Sequence, residues 1–246
     1  MRNLEEEREK LEANAAGTAH PDPHFSADLP AETSKAVLIA FDLFKQDAEA
    51  CQMLLTISRT LGFEEGNRTN ALRTSAALAV NNHLKKTELA IVGMSALHNL
   101  TADVTNISSE ESDALIHVLQ LVIDEHKSEL PVLEKAMGFA IVLFDASVHA
   151  RKTMKTTGLL ELVRSTLGSA EGHYPLVERC CGLLARLARR SERNENTALL
   201  TKIMTKFAPS EAVCEQVMLA AIAVNGIQDT DELVSTIEAL SRARSA

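Results

Sequence analysis

The chain has 246 residues, 46% of them hydrophobic and 24% charged, proportions that support a folded core and exclude a disordered or fibrous class for most of the length. Aromatic residues make up 3%, with no Trp and one Tyr, and ten Gly and six Pro provide little turn chemistry, which argues against a sandwich or barrel and for an all-α fold. The net charge of −9 disfavours nucleic acid or an anionic membrane as the general partner, because both reward a basic surface.

Residues 1–30 stand apart as an acidic, partly irregular N-terminal arm, and residues 31–246 read as one helical domain. Leu4 to Leu11 is expected to form a short charged helix, and Pro21, Pro23 and Pro30 each hold the preceding residue extended. The first residues lack the apolar stretch of a secretory signal and carry too many carboxylates for a mitochondrial presequence. No apolar run approaches the ~20 residues of a membrane span, so the cytoplasm, with association to the cytoskeleton or a cilium as a narrower option, is the expected location.

From Pro30 onward helix signals follow one another. Ala36, Val37, Ile39, Ala40, Leu43 and Phe44 recur at helical spacing. A second helix is predicted from about Asp47 to Leu61, stopped by Gly62, and a third from Thr69 to Leu84. Thr87 is expected to cap a helix reaching Thr101, and Ser108 with Glu111 forms a capping-box pattern for one ending near His126. Pro131 and Pro175 fit first-turn positions of long apolar helices over Leu130 to Val148 and Pro175 to Arg190. Shorter segments over Gly158 to Leu167 and Thr197 to Phe207 follow, then Ser210 to Val224 and Thr230 to Leu240. About eleven helices and no strand result.

The long helices end on Leu61, Leu100, Phe144, Leu187 and Val224, spaced by 39, 44, 43 and 37 residues, close to the ~40–47 of armadillo and HEAT units. Ala90-Ile91-Val92-Gly93-Met94-Ser95-Ala96-Leu97-His98-Asn99-Leu100 resembles the Ala-Leu-x-Asn-Leu stretch of armadillo repeats. Gly158-Leu159-Leu160-Glu161-Leu162-Val163 resembles the glycine-leucine start of such a repeat's last helix pair. The resemblance, covering about residues 32 to 243, implies a right-handed α-solenoid of armadillo/HEAT-like repeats. Peptide-binding members of that family hold an extended peptide with a ladder of groove asparagines, preceded by tryptophans. Here the asparagine slot holds Thr60, Asn99, Leu143, Arg186 and Ala223, and Ser95 takes the tryptophan slot before Asn99. One rung is retained, so Asn99 is expected to be a structural hydrogen-bonder, with a peptide-clamping role as the alternative.

Over a helix from Pro175 to Arg193, Arg179, Arg186, Arg189, Arg190 and Arg193 fall within one arc at about 100° per residue. Residues 151–206 hold eleven Lys/Arg against five Glu, a net of +6, whereas residues 1–50 hold five against eleven Asp/Glu, a net of −6. With Arg186 in the groove slot, the stripe is expected to take an acidic segment of a partner protein through forked, charge-assisted contacts. Two alternatives remain open: a solvated face with local ion pairs to Glu178, Glu192 and Glu195, or a stripe covered by the chain's own acidic arm.

No phosphate loop, dinucleotide fingerprint, nucleophile elbow or zincin motif is present, and no cofactor or catalytic residue is expected. Cys51, Cys180, Cys181 and Cys214 lack metal or disulfide spacing and are expected to act as small buried hydrophobes. Asp145 and His149 at i, i+4 offer two metal donors and lack a third nearby, while His20 and His24 share no helical face. The expected function is a non-catalytic protein-protein interaction scaffold. Alternatives are a structural subunit of a cytoskeletal or ciliary assembly and a chaperone cofactor.

Overall fold

The computed structural model describes residues 31–170, 172–188, 192–207 and 210–226, together with 238 and 242. The N-terminal arm and, apart from residue 238, the helix expected over Thr230 to Leu240 lie outside the described residues. Eleven α-helices are described, in chain order α1 (Ala31–Phe44), α2 (Ala48–Leu61), α3 (Asn70–Asn82), α4 (Thr87–Thr101), α5 (Ser109–Glu125) and α6 (Leu130–Ala146). Then come α7 (Val148–Met154), α8 (Leu159–Ser169), α9 (Tyr174–Leu187), α10 (Arg193–Lys206) and α11 (Glu211–Asn225). Among the described residues no strand occurs, and no helix is long and apolar enough to cross a membrane.

Side-chain caps set most of the starts. Asp47 Oδ1 accepts from the Glu49 and Ala50 amides at 3.0 Å each, so α2 begins as expected. Thr69 accepts from the Leu72 amide at 3.3 Å, and Ser210 accepts from the Val213 amide at 3.4 Å. Ser108 Oγ accepts from the Glu111 amide at 3.2 Å, giving half of the expected capping box. The reciprocal half is missing because the Glu111 carboxylate is taken by Arg73. Thr87 does not cap α4: it is the first helical residue, after Lys86, whose extended backbone (φ −92, ψ 101) offers no side-chain cap.

Two long helices are shorter than the sequence pattern suggests. Ser147 leaves the helical region (φ −134, ψ 125), ends α6 and opens α7 by accepting from the Ala150 amide at 3.2 Å. Its hydroxyl also pairs with that of Ser112 on α5 at 2.7 Å, a tertiary contact that fixes the break. Likewise α9 stops at Leu187, because Ala188 turns to φ −57, ψ 140.

The helices pack in a regular order. Successive contacts link α2 to α4, α4 to α6, α6 to α9 and α9 to α11, while α1 to α3, α3 to α5 and α5 to α7 form a second such series beside it. The five repeat-slot residues Leu61, Leu100, Phe144, Leu187 and Val224 lie in the last turns of the first series, and all are buried. They belong to one apolar cluster running from Val37 to Val224, in which each fully buried leucine contributes about 1.5–3 kcal/mol relative to exposure. At Gly62 the end of α2 meets α4 so closely that a Cβ would fall 2.8 Å from Asn99 Cβ and 2.9 Å from the Leu100 nitrogen. Gly62 has ordinary helical geometry (φ −64), so its value there is absence of bulk.

Polar groups tie together helices whose residues lie about forty positions apart in sequence. Arg73 and Glu111 form a buried ion pair at 2.6 Å, and the same guanidinium donates to the Arg68 carbonyl at 2.7 Å and the Leu100 carbonyl at 3.2 Å. His126 Nε2 reaches the Leu84 carbonyl at 2.8 Å.

Candidate functional site

The arginine stripe does not lie on one helix. Because α9 ends at Leu187 and α10 begins at Arg193, Arg193 belongs to a different element from Arg179 and Arg186, and the single arc is broken. Arg189 and Arg190 lie outside the described residues. Arg193 Nε donates to Asn225 Oδ1 at 2.6 Å. Arg186 is engaged within the fold: Nε and Nη2 clamp the Asp145 carboxylate at 3.0 and 2.7 Å, and Nη1 donates to the Gly182 carbonyl at 3.0 Å. The local partners expected for the stripe face elsewhere, since Glu192 and Glu195 both pair with Arg164, at 3.0 and 3.8 Å.

Asn99 is also engaged: its Nδ2 donates to the Arg59 carbonyl at 3.0 Å, closing the last turn of α2 from α4. Asp145 and His149 do not converge, because the break at Ser147 places them on α6 and α7; Asp145 faces Arg186, and His149 Nε2 sits 2.7 Å from Asp113. Among the described residues no three His, Cys, Asp or Glu side chains group as a metal set. His20 and His24 lie outside the described residues.

What the fold brings together is a groove of about 360 Å³ crossing four consecutive members of the first helix series. Arg59 comes from α2, Ser95 and His98 from α4, Glu134 and Lys135 from α6, and Arg179 from α9. Gly138 forms part of its floor: a Cβ there would lie 3.6 Å from His98 Nδ1 and 3.8 Å from Arg179 Nε, so these two side chains close over bare backbone. Lys135 Nζ pairs with Glu134 at 2.6 Å, and Glu134 also has His173 at 3.9 Å. Ser95 is turned inward, donating to the Ile91 carbonyl at 2.8 Å.

The electrostatics are one-sided. Arg68, Arg73, Arg164 and Arg186 are held by carboxylates and carbonyls, whereas Arg59 and Arg179 are exposed and have no hydrogen-bond or ion-pair partner among the described residues. Burial, with smaller repulsion from Arg179 and Lys135, holds the His98 imidazole below its ordinary range against the opposing effect of a hydrogen bond with the Gly138 backbone. His98 is therefore neutral at pH 7. The groove presents unshared guanidiniums.

Of the residues picked from the sequence, Asn99 and Arg179 line this groove, and Arg59, His98 and Lys135 were missed. A signal existed: Arg59 and His98 each stand one residue before a repeat slot, at Thr60 and Asn99. No family model, curated protein or solved structure matches the chain.

Proposed function

We propose that the chain is a non-catalytic, cytoplasmic protein-protein interaction scaffold, a right-handed α-solenoid of armadillo-like repeats whose groove takes an acidic segment of a partner protein. The stepwise packing of α2, α4, α6, α9 and α11, with buried residues every 37 to 44 positions at their ends, supports the repeat architecture. One observation carries the binding reading: Arg59 and Arg179, unpaired among the described residues, line the same groove in a chain of net charge −9. Exposed guanidiniums facing one cleft suit forked recognition of carboxylates and an electrostatically guided encounter. Neither a cofactor nor nucleic acid enters this reading.

Fluorescence anisotropy of a labelled Glu/Asp-rich peptide tests it. Binding that weakens with salt and is lost in Arg59→Glu/Arg179→Glu is the expected result; unchanged binding in that variant rejects the groove. A second reading, a fixed subunit of a larger assembly, is favoured by the apolar face of α1 and α2. There Ile39 is 63% exposed, Leu43 70% and Met53 68%, more than an isolated scaffold needs to show. Light scattering after size exclusion separates the two, because a fixed subunit self-associates when isolated and a scaffold stays monomeric.

A further inference from the structure

Resting on that groove reading, we propose that the pit over Gly138 is a subsite for a phosphoryl group, so that the acidic partner segment is taken at a phosphorylated side chain. Charge balance is the first argument. Arg59, Lys135 and Arg179 supply three positive charges against the one carboxylate of Glu134, and His98 is neutral, leaving a local surplus of two. A carboxylate offsets half of that surplus. A phosphomonoester, carrying about −1.5 to −2 at pH 7, offsets nearly all of it and brings three acceptor oxygens.

Geometry is the second argument. Residue 138 has no side chain, and the groove beside it is bordered by two groups from different helices, the His98 ring of α4 and the Arg179 guanidinium of α9. Arg59 on α2 faces the same space with its guanidinium unengaged among the described residues. Such a site surrounds a tetrahedral anion from several directions, whereas a single flat carboxylate is satisfied by one fork, as Asp145 is by Arg186. The groups facing His98 are Arg59, Lys135, Glu134 and Arg179, with His173 behind Glu134. An anion seated among them opposes the repulsion that His98 feels from Arg179 and Lys135, so its binding raises the imidazole pKa from the lowered position that burial gives it.

The test uses the full chain and one Glu/Asp-rich peptide with Ser, Glu or phosphoserine at its centre, measured by anisotropy at pH 6 and 7.5. Inorganic phosphate alone is titrated in parallel, followed by the His98 imidazole NMR signals. The phosphoserine peptide is expected to bind at least ~10-fold more tightly than the other two at pH 7.5, about 1.4 kcal/mol, where the phosphomonoester is dianionic. Free phosphate is expected to shift His98 and to compete only at millimolar concentration. Arg179→Gln, and independently Gly138→Ala, which places a methyl group in the pit at ordinary contact distance, should bring the phosphoserine-to-serine ratio toward one. Equal binding of the Glu and phosphoserine peptides would overturn the phosphoryl subsite and leave the acidic-segment reading standing. Failure of all three peptides to bind would remove both. Strong binding of phosphate with no gain from the peptide would assign the pit to a free anion and overturn the proposal.

Discussion

Arg73 offers the sharpest test of how neighbouring helices are tied. Its guanidinium, 5% exposed, spans α3, the loop before it, α4 and α5 by holding Glu111, the Arg68 carbonyl and the Leu100 carbonyl. Arg73→Met keeps much of the apolar stem while stranding the Glu111 carboxylate, itself 7% exposed. Removing one partner of a buried pair costs about 3–5 kcal/mol. In the double variant Arg73→Met/Glu111→Leu no charge is stranded, and the remaining cost is that of the two carbonyls left without a donor, about 1–3 kcal/mol each, which the single variant also bears. Urea unfolding followed by circular dichroism should therefore show a large loss for the single variant and partial recovery in the double. A loss below about 1 kcal/mol for Arg73→Met, or a double variant worse than the single, would refute the reasoning.

Three further perturbations address other parts of the fold. Gly62→Ala forces the end of α2 off α4, and the expected cost of about 1–3 kcal/mol from overpacking exceeds the ~0.4–1 kcal/mol gained by stiffening the unfolded chain; a neutral or stabilising result in urea unfolding contradicts the close approach. His98 has a folded-state pKa below the ordinary 6.5, so the unfolded chain binds the extra proton, and stability is retained above pH 6.5 and declines as the pH falls below it. His98→Gln should flatten the stability-pH curve between pH 6.5 and 5 by up to one proton, and an unchanged slope would show that other groups account for it. Burial raises both Cys180 and Cys181, the latter to about 12, and both are inaccessible. Iodoacetamide at pH 8 should leave them unmodified in the native protein and label them in urea; rapid native labelling would contradict their burial.

Much of the helix layout was legible because its signals are local. Asp47, Thr69, Ser108 and Ser210 cap helices where the sequence places them, and the apolar spacing identifies the buried ends of the stacked series. The breaks at Ser147 and Ala188 were hidden because neither carries Gly or Pro and the apolar pattern continues through both. Ser147 breaks the helix through a hydroxyl contact with Ser112, thirty-five positions away, a partner that periodicity does not register. The arrangement of the arginines was hidden for the same reason. Arginines adjacent along one segment were grouped together, yet Arg186 found Asp145 forty-one positions earlier, and the groove collects single residues from units spread between Arg59 and Arg179. Only the spacing of the long-helix ends, read one position before Thr60 and Asn99, points to Arg59 and His98.

Zero-length carbodiimide coupling joins a lysine amine to a carboxylate in contact with it, and therefore tests where an acidic partner segment sits. With the full chain carrying Glu134→Gln, which removes the carboxylate already 2.6 Å from the Lys135 amine, and a Glu/Asp-rich peptide, mapped by mass spectrometry, Lys135 in the groove should carry the peptide, and adding Arg59→Glu/Arg179→Glu should abolish that product. Peptide found only on Lys152, Lys155, Lys202 and Lys206, with Lys135 unmodified, would contradict the groove as the binding surface.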